Sequence, residues 1–243
     1  MSRRRISRRD LLKHTLLGTT AMLVPVLAAR AAGPGVPWLP GQTETPPAYP
    51  HLRFFTHAER QCVDAITARL IPSDGNGPGA RDAGVTDFID SQLAGFYGRG
   101  DRWYMKGPFR DGLDTQGYQH GEPPAGLYRK AIESLDAYCR DTAGSPFADL
   151  PEAEQDELLK RLDDGELELD GVPAKAFFEL VRENAIEGFF SDPIYGGNRD
   201  MIGWRLVGFP GARYDYRDYL DHDGRPIRIE PVGLKGRPAW NPG

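Results

Sequence analysis

Thr56-His57-Ala58-Glu59-Arg60-Gln61-Cys62-Val63-Asp64-Ala65-Ile66-Thr67-Ala68-Arg69-Leu70-Ile71-Pro72 decides the fold class. Thr56 followed three residues later by Glu59 is a capping box, in which each side chain satisfies a backbone N–H that the first helical turn leaves orphaned. Cys62, Val63, Ile66 and Leu70 then recur at helical spacing and give one apolar face. Pro72 ends the run, because it has no N–H to donate and its ring clashes with the preceding turn. The same pattern returns along the chain. Val85–Phe96 places Val85, Phe88, Ile89, Leu93 and Phe96 on one side. Pro123-Pro124 opens a helix over about 124–142 that buries Leu127, Ala131, Leu135 and Tyr138 or Cys139. A fourth helix runs from Pro151 to about Leu162, with Leu158, Leu159 and Leu162 as its contacts. A fifth starts at Pro173, a favoured first position, and presents Phe177, Leu180, Val181, Asn184 and Gly188 before stopping near Phe190. A short helical stretch to about Val207 follows. Strand signals are few and no internal repeat is present. The expectation is an all-α, irregular domain of about five helices over 54–213, with long loops and an extended Tyr- and Pro-rich tail over 214–243.

N-terminal to the first helix, residues 33–53 form a Pro/Gly-rich arm with too little apolar periodicity to pack as an element. Before it, residues 1–32 read as an export signal. Ser7-Arg8-Arg9-Asp10-Leu11-Leu12-Lys13 is a twin-arginine motif with Arg8 and Arg9 as the pair and Leu11 where Phe is usual. An apolar stretch from Leu16 to Ala29 follows, and Ala29-Arg30-Ala31 has the small-x-small pattern of a cleavage site. The other readings are an ordinary secretory signal or a short anchor, but a run of about 14 residues falls short of the ~20 that span a bilayer. The chain carries 30 basic and 35 acidic residues. Seven of the basic and one of the acidic lie within residues 1–32, leaving 23 basic against 34 acidic from residue 33 onward, net −11. Such a surface repels nucleic-acid phosphates and has no basic cluster to hold anionic lipid. The location implied is periplasmic.

Cys62 and Cys139 fit no CxxC or CxxCH motif. A mutual disulfide, a bridge to a partner and two buried thiols all stand as readings. The enzyme templates fail on particular residues. Gly77-Pro78-Gly79 lacks the spacing of a dinucleotide fingerprint, and there is no phosphate loop and no Gly-x-Ser-x-Gly elbow. The five histidines are scattered, with no His-x-x-x-His pair for a metal. The Asp74–Ala80 turn begins like a calcium loop, but Pro78 occupies a ligand position and Val85 stands where the bidentate Glu belongs. The acidic stretch 163–170 offers oxygen ligands to a divalent cation, but a solvated charged face is the favoured reading. No catalytic, cofactor-binding or metal-binding residue is assigned to this chain.

The order of motifs resembles one family. Thr56-His57-Ala58-Glu59, then Ile66 to Asp74, Gly77-Pro78-Gly79-Ala80, and Gly84-Val85 through Asp90 look like its N-terminal half. The most specific block is Gly188-Phe189-Phe190-Ser191-Asp192-Pro193-Ile194-Tyr195-Gly196-Gly197-Asn198-Arg199-Asp200, followed by Gly203-Trp204 and Gly208-Phe209-Pro210-Gly211. Together they are similar to subunit 3, the small subunit, of gluconate 2-dehydrogenase and related periplasmic sugar dehydrogenases. The resemblance implies a three-part complex. A large flavoprotein carries FAD and oxidises D-gluconate or a related sugar or polyol, and a membrane-bound multihaem cytochrome c takes the electrons. The small subunit holds no cofactor, serves maturation and twin-arginine export of the flavoprotein, and meets the membrane only through the cytochrome. A free-standing periplasmic binding protein is the alternative.

Candidate contact residues follow from side-chain physics. Tyr195, Trp204 and Phe209 offer large area at little rotamer cost, and Gly196-Gly197 with Asn198 permit a sharp turn close to another chain. The competing reading is that this block closes the domain's own core. Trp103, Tyr104 and Phe109 lie in the irregular stretch 97–122, where aromatics must rest on the domain or on a partner.

Overall fold

The computed structural model describes residues 54–234, apart from 111, 114, 115, 214, 215, 223 and 225–228. The expected export signal with Arg8 and Arg9 and the expected arm 33–53 lie outside the described residues. Eight α-helices and no strands are present among them, so the domain is all-α. In chain order these are α1 (His57–Leu70), α2 (Ala80–Ala83), α3 (Val85–Ala94), α4 (Phe96–Arg99), α5 (Pro124–Ala143), α6 (Glu152–Asp164), α7 (Ala174–Phe190) and α8 (Ile202–Val207). None is long and apolar enough to cross a membrane.

The capping box is formed. Thr56 Oγ1 accepts from Glu59 N and Thr56 N donates to Glu59 Oε2. α1 is the central helix, touching α2, α3, α5, α6 and α7. It buries Cys62, Val63, Ala65 and Ile66 against α5, which contributes Leu127, Tyr128, Ala131, Ile132, Leu135 and Cys139. Tyr138 stays at the edge of this core and accepts from Arg161 of α6 at 3.1 Å. Leu158, Leu159 and Leu162 of α6 and Phe177, Leu180 and Val181 of α7 complete the same cluster. The Asp90 carboxylate accepts from Phe54 N and Phe55 N and ties the chain entering α1 to α3.

Three features differ from the expectation. α3 stops at Ala94, because Gly95 turns to an extended conformation (φ −93°, ψ −162°), and Phe96 opens a separate short helix with its ring exposed under the Arg102 guanidinium. The acidic stretch after α6 is not wholly solvated, since Leu167 and Leu169 turn into the core between the charged residues. The tail is not extended throughout, since Arg217–His222 form a 3-10 stretch, although it wraps back onto the domain where Val232 pairs with Gly211 and is buried.

The candidate disulfide is not formed. Cys62 and Cys139 are free thiols, both buried where α1 packs on α5. Burial pushes both thiols up, Cys139 to about 11, and the nearby Asp136 carboxylate adds to the rise. A thiol held protonated in this way is a small hydrophobe, not a nucleophile.

Candidate partner interface

The sequence-derived contact residues fall into two groups built on different elements. The first lies in the segment after α4. Trp103 stacks on Tyr118 at 4.8 Å and meets Tyr97 edge-on at 5.5 Å. Tyr97 is fixed in turn by Asn184 of α7, whose amide donates to the Tyr97 hydroxyl at 2.8 Å and whose carbonyl accepts from Tyr128 at 2.9 Å. Burial raises the Tyr97 phenol to about 12, so it stays a neutral hydrogen-bonding group. Trp103 therefore anchors the loop onto its own domain and keeps only part of its ring in solvent, whereas Tyr104 (82% exposed) and Phe109 project outward. Between this segment and α7 lies an open groove of about 1510 Å³, with Tyr118, Glu179 and Glu183 among its walls.

The second group is the block that follows α7. Here the backbone is unusual: Asn198, Asp200 and Met201 all have positive φ, at 45°, 53° and 56°. Side chains with a Cβ reach that region at a cost of roughly 1–2 kcal/mol each, so other contacts must hold it. Asn198, 0% exposed, supplies two of them. Its amide donates to Ser191 O at 2.8 Å and its carbonyl oxygen accepts from Gly203 N at 2.8 Å. Arg199 reaches across to the buried Asp87 of α3, whose other oxygen is held by Arg60 of α1 at 2.6 Å. One carboxylate thus clamps this block to two core helices. Gly203 lets α8 lie directly on the end of α7, since a Cβ there would stand 2.1 Å from Phe189 O.

Buried residues offer a partner no surface, and this corrects several candidates. Gly196, Gly197 and Asn198 are buried and shape the turn. Trp204 is only 6% exposed, and its indole N–H donates to Phe190 O at 2.7 Å, which places it in the domain. Tyr195 is 53% exposed and does face solvent. Around the buried Trp204 the structure leaves apolar side chains uncovered that the sequence reading did not single out: Ile186 and Phe190 on α7, and Leu206 and Val207 on α8. Phe209 joins them, its ring 5.2 Å from that of Trp204. Ile186 and Phe190 stand at i, i+4 and form a second apolar stripe on α7, the signal that could have found them. The Asp87 clamp spans 27 and 112 residues of sequence and leaves no local signal, since Asp87 is one of two carboxylates on a helix that also carries Thr86, Ser91 and Gln92.

Among the described residues no group of three or more His, Cys, Asp or Glu side chains could hold a metal ion. Both Asp74 carboxylate oxygens are engaged by Asn76 within the turn, and those bonds hold the group below the usual carboxylate range. Among the described residues, fold and surface together define a helical domain with apolar side chains left uncovered at the end of α7 and on α8.

Residues 57–211 match the family model described as gluconate 2-dehydrogenase subunit 3. The match covers more than half of the chain, and the chain belongs to that family. Comparison with the curated proteins and with the solved structures gave no significant match.

Proposed function

We propose that this chain is the non-catalytic small subunit of a membrane-associated, FAD-dependent gluconate 2-dehydrogenase-like complex. The observation that carries the reading is the match of residues 57–211 to subunit 3 of that enzyme, which implies partner subunits. In this reading the large flavoprotein oxidises D-gluconate or a related sugar or polyol and passes electrons to a multihaem cytochrome c. The small subunit binds the flavoprotein, stabilises it during maturation, and takes it through the twin-arginine route on the signal around Arg8 and Arg9. FAD and haem c belong to the partners. The complex is periplasmic and meets the inner membrane through the cytochrome. The uncovered apolar surface supports a subunit role, because exposed patches of this kind mark interaction sites. Expressing the flavoprotein with and without this chain tests the proposal. The expected result is loss of exported, flavin-loaded enzyme when the chain is absent; normal export and yield of the flavoprotein alone would refute it.

A further inference from the structure

We infer that the flavoprotein docks on the apolar face made by the end of α7 and by α8, with Trp204 as its buried floor; this rests on the subunit role proposed above. Phe190, Trp204 and Phe209 meet at its centre. The indole of Trp204 is bonded to Phe190 O, its ring lies against Phe209, and Leu206 and Val207 follow it on the same short helix. Ile186 extends the face one turn back along α7, and Ile194 with Tyr195 lies in the turn just after Phe190. Ile186, Phe190, Ile194, Tyr195, Leu206, Val207 and Phe209 are each 38–59% exposed, together roughly 700 Å² of residue surface, on the scale of the ~800 Å² that one partner contributes to a standard interface.

The backbone beneath the face carries the second argument. Three non-glycine residues within four positions hold positive φ, and the Asp87–Arg60–Arg199 clamp and the two Asn198 bonds keep them there. Strain of this kind persists where the surroundings over-determine it, and its result here is a fixed angle between α8 and α7. A preformed apolar platform binds with little ordering cost.

Charge selects the occupant. A second copy would bring residues 33–243, net −11, against the same segment of this one. Anionic lipid needs free cations, yet Arg199 is paired with Asp87 and Arg205 with Glu230. A different protein with an apolar patch satisfies both constraints, and the flavoprotein is that subunit.

The test is co-expression of the tagged full chain with its flavoprotein, followed by flavin absorbance of the purified material. Leu206→Asp with Val207→Asp should cut co-purified flavin at least tenfold, as expected for charges placed in an interface core. Tyr104→Asp should leave it unchanged. Both substituted helix positions are exposed, so helical circular dichroism and Tm of the isolated chain should hold. If they do not, the single Val207→Lys at a 59% exposed site takes the place of the pair. Wild-type chain that retains the flavoprotein, with the aspartate variant retaining as much, would overturn this face and leave the subunit role intact. Wild-type chain that retains none would remove the subunit role itself. An isolated chain that is dimeric, or that floats with phosphatidylglycerol vesicles, and loses that behaviour in the aspartate variant would assign the face to self-association or to lipid.

Discussion

Asn198 shows how one side chain sets the geometry of a surface it never reaches. Its amide spans Ser191 O and Gly203 N, so Asn198→Ala leaves two inward-facing backbone groups unpaired. That should cost about 2–4 kcal/mol of stability, as lost partners of buried polar groups do. Asn198→Gly loses the same bonds but relieves the positive φ, and should recover roughly 1 kcal/mol of that cost. Urea denaturation of the two variants checks both values. If Asn198→Ala unfolds at the wild-type midpoint, the amide is not what holds the turn. Glu187 makes a prediction about pH. Partial burial raises its carboxyl above the ordinary value; the Asn184 amide at 3.3 Å opposes this, and the negative charge of Glu183 adds to it. The folded state therefore holds this proton more tightly than the unfolded chain, whose value is ~4.3. The group's stabilising contribution is complete below that value and is lost as pH rises through the higher folded value. Glu187→Gln should accordingly raise Tm relative to wild type at pH 7 and lose that advantage near pH 4. An advantage that does not change between the two would show that the carboxyl titrates at its ordinary value.

At the scale of elements, Gly203 decides how α8 meets α7. A methyl group there would collide with Phe189 O, and backbone cannot yield as a flexible side chain can. Gly203→Ala is expected to destabilise by about 1–3 kcal/mol, the usual cost of overpacking, and to change the near-UV signal of Trp204. An unchanged spectrum and Tm would mean that the helices can part freely. The long helices were legible because their periodicity is unbroken. Leu127, Ala131, Leu135 and Cys139 repeat every four residues, and α5 buries all four. Phe96 misled because it continues that rhythm past Gly95, where the backbone does not. α2, at four residues, spans too little to show any period. The contact surface was legible only in part. Size and aromaticity singled out Trp204, but a tryptophan that finds an acceptor for its indole N–H belongs inside. The residues left outside, Ile186, Leu206 and Val207, look in sequence like any other core position. Nothing local to Arg199 announces Asp87, because their pairing depends on how three helices pack.

For the whole molecule, the question is what the Arg8-Arg9 pair does in a subunit whose described residues hold no metal-binding cluster. The proposed answer makes Arg8 and Arg9 an address for two proteins, and charge-conserving substitution tests it. Lysine keeps both positive charges but replaces a planar guanidinium fork with a point charge, so a receptor that reads the fork rejects it while a route that needs only a basic end accepts it. Arg8→Lys with Arg9→Lys should therefore leave this chain in the cytoplasm. The flavoprotein should stay with it, and periplasmic dehydrogenase activity should fall at least tenfold, because the route is lost rather than an interaction weakened. Fractionation with antibodies to both subunits gives the readout. Retention of this chain with normal export of the flavoprotein would separate the two cargoes and confine the small subunit to stabilising the complex after export. Export of both would return the signal to the ordinary secretory class. Loss of both, with the two subunits still co-purifying from the cytoplasm, would show that assembly comes before transport and that the apolar face is covered by the time the pair crosses the membrane.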